Sequence, residues 1–406
     1  MGITCMSASN CTVIHIGCVS TPMLHYGVLE TQSRLGCMIT ASHNPVADSG
    51  IKVFDSHGRK SMPSYETLVS KTASSLAQED REIDLEDRKA WMIPDSTHDV
   101  DHQQWLEQRV KFFKPLFKSE LSSMNAFHLD SSKGHATRWL SEWLQQQGIA
   151  VEEVSLHAPA MNDGCGAGEL SPGQSWSWSD IGSSGHLLID SLSSQGRGKI
   201  VGAALDGDGD RVVLIDREGN ILDGDDIMYI LAYANPNRTG PWSGIVGTAM
   251  TNLGFEEGVK KLGYKFKRAD VGDKYVSQML QKEGWMLGGE PSGHIICRDL
   301  VSTGDGTIAA LKVISSLLIL EKNPEDILRN YTKMPQINVN VTVENKDIIS
   351  DSNIQKKIKE IESDLTVGRV LVRPSGTESK IRIMIESDDE ITAAKYAKDI
   401  ATMFKK

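Results

Sequence analysis

Ile200-Val201-Gly202-Ala203-Ala204-Leu205 runs without a polar side chain into Asp206-Gly207-Asp208-Gly209-Asp210-Arg211, and Val212-Val213-Leu214-Ile215 leads away from it. The first run reads as a buried strand, of the kind found in parallel sheets covered by helices. Three carboxylates at i, i+2 and i+4, separated by glycines, let the backbone wrap closely round one hard cation. Oxygen ligands with a position left open for phosphate suit Mg²⁺. A calcium EF-hand does not fit, because no Glu stands at loop position 12 and no helix pair flanks the loop. The competing reading is an acidic hairpin turn. Three carboxylates this close repel strongly without a cation, which favours the metal.

Outward from this loop, strands alternate with helices, which implies a mostly parallel sheet. Upstream we expect a strand over 126–130 and a helix over 135–147 with Trp139, Leu140, Trp143 and Leu144 on one face. A strand over 151–156, a Gly/Pro/Ser/Asn-rich loop over 158–180 and a weakly patterned helix over 181–192 follow. Downstream, Asp223-Gly224-Asp225-Asp226 caps a helix with Ile227, Ile230, Leu231 and Ala234 in register. Strands over 245–247 and 265–271 alternate with helices over 253–262 and 275–283. Thr303 or Asp305 then caps a helix carrying Ile308, Leu311 and Ile314. From Thr332 the pattern changes: 339–343, 369–372 and 381–386 alternate apolar and polar, as half-exposed antiparallel strands do.

At the front, 12–16, 37–40 and 50–54 read as strands of an α/β unit, 37–40 as a second buried strand that delivers Ser42, and Pro22 starts a helix reaching Leu29. Residues 2–10 read as a helix tail entering a strand, 64–78 as a helix, 79–100 as irregular surface, and 101–113 as a helix broken by Pro115. The expected fold class is α/β in four units: 1–115, 116–218 and 219–331 as mixed or parallel α/β domains, and 332–406 as an α+β domain with an antiparallel sheet.

At 406 residues the chain is too long for one core. A net charge of −11 argues against nucleic acid or an anionic membrane surface as partner, but leaves room for a phosphorylated small molecule held by local cations. No run of 18 apolar residues spans a membrane, and no basic segment precedes an apolar core at the N-terminus. The six cysteines (5, 11, 18, 37, 165, 297) form no CxxC pair and read as free thiols in a reducing compartment, hence a cytoplasmic protein.

Three further loops bear chemistry. Thr40-Ala41-Ser42-His43-Asn44-Pro45 places a hydroxyl at the C-terminal end of a strand, where active groups of open α/β sheets lie. Ser42 could carry a phosphoryl group between two hydroxyls of one sugar, splitting the transfer into two in-line displacements, and its phosphate could supply a further metal ligand. His43 and Lys52 nearby are candidate acid/base groups, and Lys52 could also stabilise phosphoryl charge. Alone, the stretch reads equally as a capped turn. In Gly288-Gly289-Glu290-Pro291-Ser292-Gly293-His294, Glu290 and Ser292 suit adjacent sugar hydroxyls and His294 could shuttle a proton; a glycine-rich turn is the alternative. In Arg373-Pro374-Ser375-Gly376-Thr377-Glu378-Ser379-Lys380, charged and hydroxyl donors with exposed N–H groups make a phosphate nest, or else a plain hairpin turn.

Taken in order, TASHNP, DGDGDR, GGEPSGH and RPSGTES resemble the α-D-phosphohexomutase superfamily from about residue 2 to the C-terminus. GTAMTNLG (247–254), VGDKYV (271–276) and STGDG (302–306) are similar to the bacterial phosphoglucosamine mutase family within it. The resemblance implies a four-domain fold round a central cleft. It implies interconversion of glucosamine 6-phosphate and glucosamine 1-phosphate through a 1,6-bisphosphate, toward UDP-N-acetylglucosamine. Phosphomannomutase/phosphoglucomutase activity, or sugar-phosphate binding without turnover, are the alternatives. By position, Ser42 is the phosphoserine, and Asp206, Asp208 and Asp210 with Ser42 hold one Mg²⁺. His43, Lys52, Arg211 and His294 are the remaining catalytic groups. Glu290, Ser292 and Gly293 contact sugar, and Arg373, Ser375, Gly376, Thr377 and Arg382 hold the distal phosphate. A hexose 1,6-bisphosphate is the implied activator, and the implied state is monomer or homodimer. The chain departs from the pattern at Pro291, where aminosugar members carry a polar residue and mannose/glucose members often Met, and at Lys274, where Arg is usual. The family's opening Phe-Gly-Thr-Asp-Gly-Ile-Arg-Gly segment is not found, so the expectation is a truncated first domain, poorly stable and weakly active.

Overall fold

The acidic loop lies in a five-stranded sheet ordered Val151–Glu153, Phe127–Asp130, Ile200–Leu205, Val212–Asp216, Ile221–Leu222. Ile200–Leu205 runs parallel to Phe127–Asp130 but antiparallel to Val212–Asp216. Topologically the acidic loop is therefore a hairpin connection, and every residue of its two strands is buried. The computed structural model describes residues 12–44, 48, 50–78, 96–97, 101–137, 139–170, 184–192, 198–375 and 379–404. The expectations for residues 2–10 and for most of 79–100 lie outside these.

The next sheet is ordered Lys265–Ala269, Gly244–Thr248, Leu287–Gly289, Ile295–Cys297, the last strand antiparallel. That strand was not read from sequence, and it turns 290–294 into a second hairpin loop. The last sheet, Gln336–Thr342, Lys380–Ser387, Gly368–Pro374, is wholly antiparallel, as the alternation predicts. Helices Ser352–Asp364 and Glu390–Met403 cover it. The first of these escaped the sequence reading because its Ile354, Ile358 and Ile361 stripe is buried in a run of charge.

Cores separate the units unequally. One continuous apolar cluster runs from Val19 to Tyr331, while Val341 to Phe404 form their own. The C-terminal unit thus has an independent core, and a smaller third cluster joins Val246, Ala269, Val276, Leu280, Trp285 and Ile296. Helix Gly306–Leu320, capped by Asp305 through Ile308 N–H at 2.8 Å, lies within the first cluster. It packs on Val212–Asp216 and on helices His102–Val110 and Lys114–Ser122. Pro115 opens the latter helix rather than breaking the former, since a first-turn residue has no intrahelical N–H bond to lose.

In the front unit, Ser20 caps helix Thr21–Glu30. This helix packs on the antiparallel hairpin Leu35–Thr40/Gly50–Asp55. The expectation of a buried strand here is corrected. The hairpin buries Met38 and Phe54 on one face and exposes the facing pair Ile39 and Ile51 on the other, at 56% and 68%. A run of three apolar residues cannot distinguish the two cases. Among the described residues no helix is long and apolar enough to cross a membrane, and Cys18, Cys37, Cys165 and Cys297 are free thiols.

Candidate active site

The hairpin of the front unit delivers Ser42 to the acidic loop. Ser42 Oγ donates to Asp206 Oδ2 at 2.8 Å. Ser42 sits at φ 54°, a left-handed conformation that costs a non-glycine residue about 1–2 kcal/mol. Gly207 permits this approach: a Cβ there would stand 2.7 Å from the Ser42 carbonyl oxygen. Thr40 organises the turn, since its hydroxyl donates to Asp208 Oδ2 at 2.9 Å and accepts from Ser42 N–H at 2.9 Å.

Asp206, Asp208 and Asp210 bring carboxylate oxygens within 4.8 Å of one another. Asp206 Oδ1 accepts the N–H groups of Asp210 and Arg211, which holds the loop closed. The three carboxylates do not stand alone. Lys52 Nζ donates to Asp208 at 2.6 Å and to Asp210 at 2.9 Å, and Lys60 Nζ reaches Asp210 at 3.1 Å. The ammonium groups offset part of the carboxylate repulsion expected from sequence. Asp208 Oδ1 nevertheless stays buried without a hydrogen-bond partner. A hard-oxygen donor set with one orphaned lone pair fits Mg²⁺.

The electrostatics follow from this crowding. Burial and the neighbouring Asp210 and Asp208 push the Asp206 carboxyl up to about 7. Burial opposes ionisation of Asp210 too, but Lys52, Lys60 and His294 hold it well below the usual carboxylate range. Lys52 is desolvated yet held as an ammonium by Asp210 and Asp208. Burial lowers His43 to about 4, with Arg211 adding to the effect. Arg211 lies with Nε 3.9 Å from Asp206 Oδ2.

His294 lies beside the acidic loop, lining a small crevice with Lys60, Asp273 and Thr303. It is buried, its ring covers Gly304, and Nε2 stands 3.2 Å from Asp273. Lys60 ion-pairs with the same Asp273, joining the front hairpin to helix Asp273–Glu283. Neither Lys60 nor Asp273 was singled out as a site residue from sequence. Replacing Lys60 by Met leaves Asp210 and Asp273 facing each other. Burial lowers the Lys60 ammonium below its ordinary value despite Asp210, and solvent screens Asp273, so the expected cost is about 1–2 kcal/mol, less than the roughly 3–5 of an enclosed pair. Urea unfolding of the variant against wild type at pH 7 measures it.

The loop 288–294 is strapped to the acidic loop. Gly293 accepts the Val212 N–H at 3.0 Å, and at φ 91° a Cβ there would meet the Val212 carbonyl oxygen at 2.2 Å. Glu290 is buried and accepts the Gly272 N–H at 3.0 Å. Ser292 is half-buried at the loop tip. In the C-terminal unit Arg373 and Arg382 stand directly opposite across two strands. Burial and Arg382 lower the Arg373 guanidinium, while the Glu290 carboxylate opposes them. Arg373 Nε is buried without a hydrogen-bond partner. Ser375 accepts through its carbonyl from Lys346 Nζ at 2.9 Å, a clamp with no signal in the sequence reading. Gly376 and Thr377 lie outside the described residues.

The arrangement is a hydroxyl on a carboxylate-ringed candidate cation site with the 288–294 loop strapped to it, and the C-terminal unit carries a paired-arginine strand. Family models match in three segments: Phosphoglucomutase/phosphomannomutase alpha/beta/alpha domain I over residues 2–80, domain III over 223–334, and the C-terminal domain over 337–403. A phosphoglucosamine mutase of Cellvibrio japonicus is 33% identical over 392 residues, covering 96% of this chain and 82% of that protein. One of Polynucleobacter asymbioticus is 33% identical over 404 residues, covering 98% and 84%. Among solved structures, Aspergillus fumigatus N-acetylphosphoglucosamine mutase in complex with GlcNAc-6P and magnesium shares the fold, with a TM-score of 0.67 over 94% of this chain and 92% of that one, at 19% identity. An N-acetylglucosamine-phosphate mutase in its substrate complex also reaches 0.67, over 97% and 96%, at 18% identity. The chain belongs to the α-D-phosphohexomutase superfamily. Within it, the two relatives named above, which cover nearly this whole chain, are phosphoglucosamine mutases.

Proposed function

We propose that this protein interconverts glucosamine 6-phosphate and glucosamine 1-phosphate through a phosphoserine at Ser42 and a 1,6-bisphosphate, in a four-domain frame divided near 115, 218 and 331. The observation that carries the reading is the 2.8 Å contact of Ser42 Oγ with Asp206, inside a donor set built for a divalent cation. Asp206, Asp208, Asp210 and the serine oxygen would hold Mg²⁺, which would draw negative charge from the phosphoryl group.

In the first half-reaction the Ser42 Oγ–P bond breaks as the free sugar hydroxyl forms a bond to the same phosphorus. The hydroxyl proton passes to a base. In the second, Ser42 Oγ takes the other phosphate from the reoriented bisphosphate, and the departing sugar oxygen regains a proton. Lys52 stays an ammonium beside its two carboxylates, which suits charge stabilisation rather than proton abstraction. We assign the base to His43, adjacent to the serine in sequence and lowered to about 4 by burial, hence neutral at pH 7; His294 is buried beside Asp210 and Asp273. Glu290 and Ser292 orient sugar hydroxyls. Arg373 and Arg382, with Ser375, Gly376 and Thr377, hold the phosphate that does not react.

Arg373→Ala removes a charged, partly desolvated donor to that phosphate. KM for glucosamine 1-phosphate should rise roughly 10–100-fold with a smaller change in kcat, measured by steady-state kinetics. Pro291, which matches neither the polar residue of aminosugar members nor the Met of mannose/glucose members, leaves a second reading as a phosphomannomutase/phosphoglucomutase open. Turnover compared on glucosamine, glucose and mannose 1-phosphates decides: the proposal expects the highest kcat/KM on the aminosugar, and a preference for either neutral sugar overturns it.

A further inference from the structure

The loop over 160–168 carries no chemistry in the account so far, yet it cradles the reactive serine. It is fixed to the central sheet: Ala167 N–H donates to the Leu205 carbonyl at 2.9 Å, and Gly166 N–H to Asp130 Oδ2 at 2.6 Å. From this base Asn162 reaches across to the front unit. Its Nδ2 donates to the carbonyl oxygens of Ser42 at 2.9 Å and Asn44 at 2.8 Å. Both hydrogens of one amide nitrogen are thus spent on the two sides of the serine's turn. Asn162 Oδ1 in turn accepts from the Ser132 hydroxyl, and Asn162 N–H donates to the Ser132 carbonyl at 3.2 Å. Ser132 N–H is anchored on Asp130 Oδ1 at 2.7 Å.

Three residues in this chain of contacts are left-handed without being glycine: Ser42 at φ 54°, Ser132 at 61° and Asn162 at 57°. Each costs free energy that packing alone must offset, and such conformations persist where the surroundings over-determine them. Asn162 is 7% exposed, so its carboxamide has no solvent to satisfy it elsewhere.

We propose that Asn162 is a positioning residue for the phosphoryl-transfer serine, its carboxamide setting the left-handed turn from which Ser42 Oγ reaches Asp206. The inference rests on the mutase reading. Ser132 acts one step further back by holding the carboxamide in its rotamer. Loss of either leaves the substrate-holding loops untouched and misplaces only the nucleophile. A misplacement of about 1 Å costs on the order of 10²-fold in transfer rate.

The test uses the full chain with Mg²⁺ and glucose 1,6-bisphosphate. It follows the initial rate of phosphate uptake at Ser42 by intact mass, alongside KM for glucosamine 1-phosphate and the melting temperature. Asn162→Ala should lower the uptake rate on the order of 10²-fold with KM unchanged, and Ser132→Ala should lower it less. A wild-type uptake rate in Asn162→Ala overturns the inference. So does a loss that KM and melting temperature share in proportion, which would mark Asn162 as merely structural. If Asn162→Ala does not fold, Ser132→Ala is judged by the same three readouts. A wild-type chain that takes up no phosphate overturns the mutase reading instead.

Discussion

Ser42→Ala eliminates net phosphoryl transfer, lowering kcat on the order of 10⁴-fold or more, while binding of glucosamine 1-phosphate persists. The variant keeps every contact that fixes the phosphate and sugar loops, because Ser42 touches neither. It loses one hydroxyl, whose hydrogen bond runs to Asp206. Asp206 retains two backbone donors on its other oxygen, so the loop keeps its shape. Without Mg²⁺ stability should fall by about 1–3 kcal/mol, because Asp206 Oδ2 is buried and loses its donor. Stopped assays for turnover and calorimetry for binding separate the two effects. Turnover within tenfold of wild type would remove Ser42 from its role.

The second large effect is expected at Asp208. This carboxylate accepts from Thr40 and Lys52 through Oδ2 and keeps Oδ1 buried and unpartnered. Asp208→Ala removes the oxygen that most needs a cation and frees Lys52 to lean on Asp210 alone. Activity should fall roughly 10³-fold, and the remainder should no longer respond to Mg²⁺. Titration with Mg²⁺, read by calorimetry as well as by rate, checks both halves. A variant that binds Mg²⁺ like wild type would show that Asp206 and Asp210 suffice and that the orphaned oxygen has another purpose.

The carboxylate loop and Ser42 were legible because residue type and spacing together carry the information: glycines alternating with acids, a serine ending a strand. The antiparallel C-terminal sheet was legible from period-2 alternation. What the sequence hid depends on approach between distant segments. Lys60 meets Asp273, Asn162 meets Ser42, and Lys346 clamps Ser375, and none of these pairs leaves a local pattern. Thr40 was inside the quoted motif but gained a role only when its hydroxyl was seen to join Ser42 N–H to Asp208. The front hairpin was misjudged because Cys37-Met38-Ile39 looks equally apolar whether one face or both are covered. Ile295–Cys297 was missed because three residues are too few to show a period, although they complete the sheet on which the 288–294 loop turns.

One assay tests the central claim most directly: the full chain with glucosamine 1-phosphate, Mg²⁺ and a catalytic amount of glucose 1,6-bisphosphate, with intact mass taken on the same sample. The account predicts formation of glucosamine 6-phosphate and one added phosphate, mapped to Ser42. Turnover with Ser42 unmodified throughout, or phosphate on another residue, would contradict it.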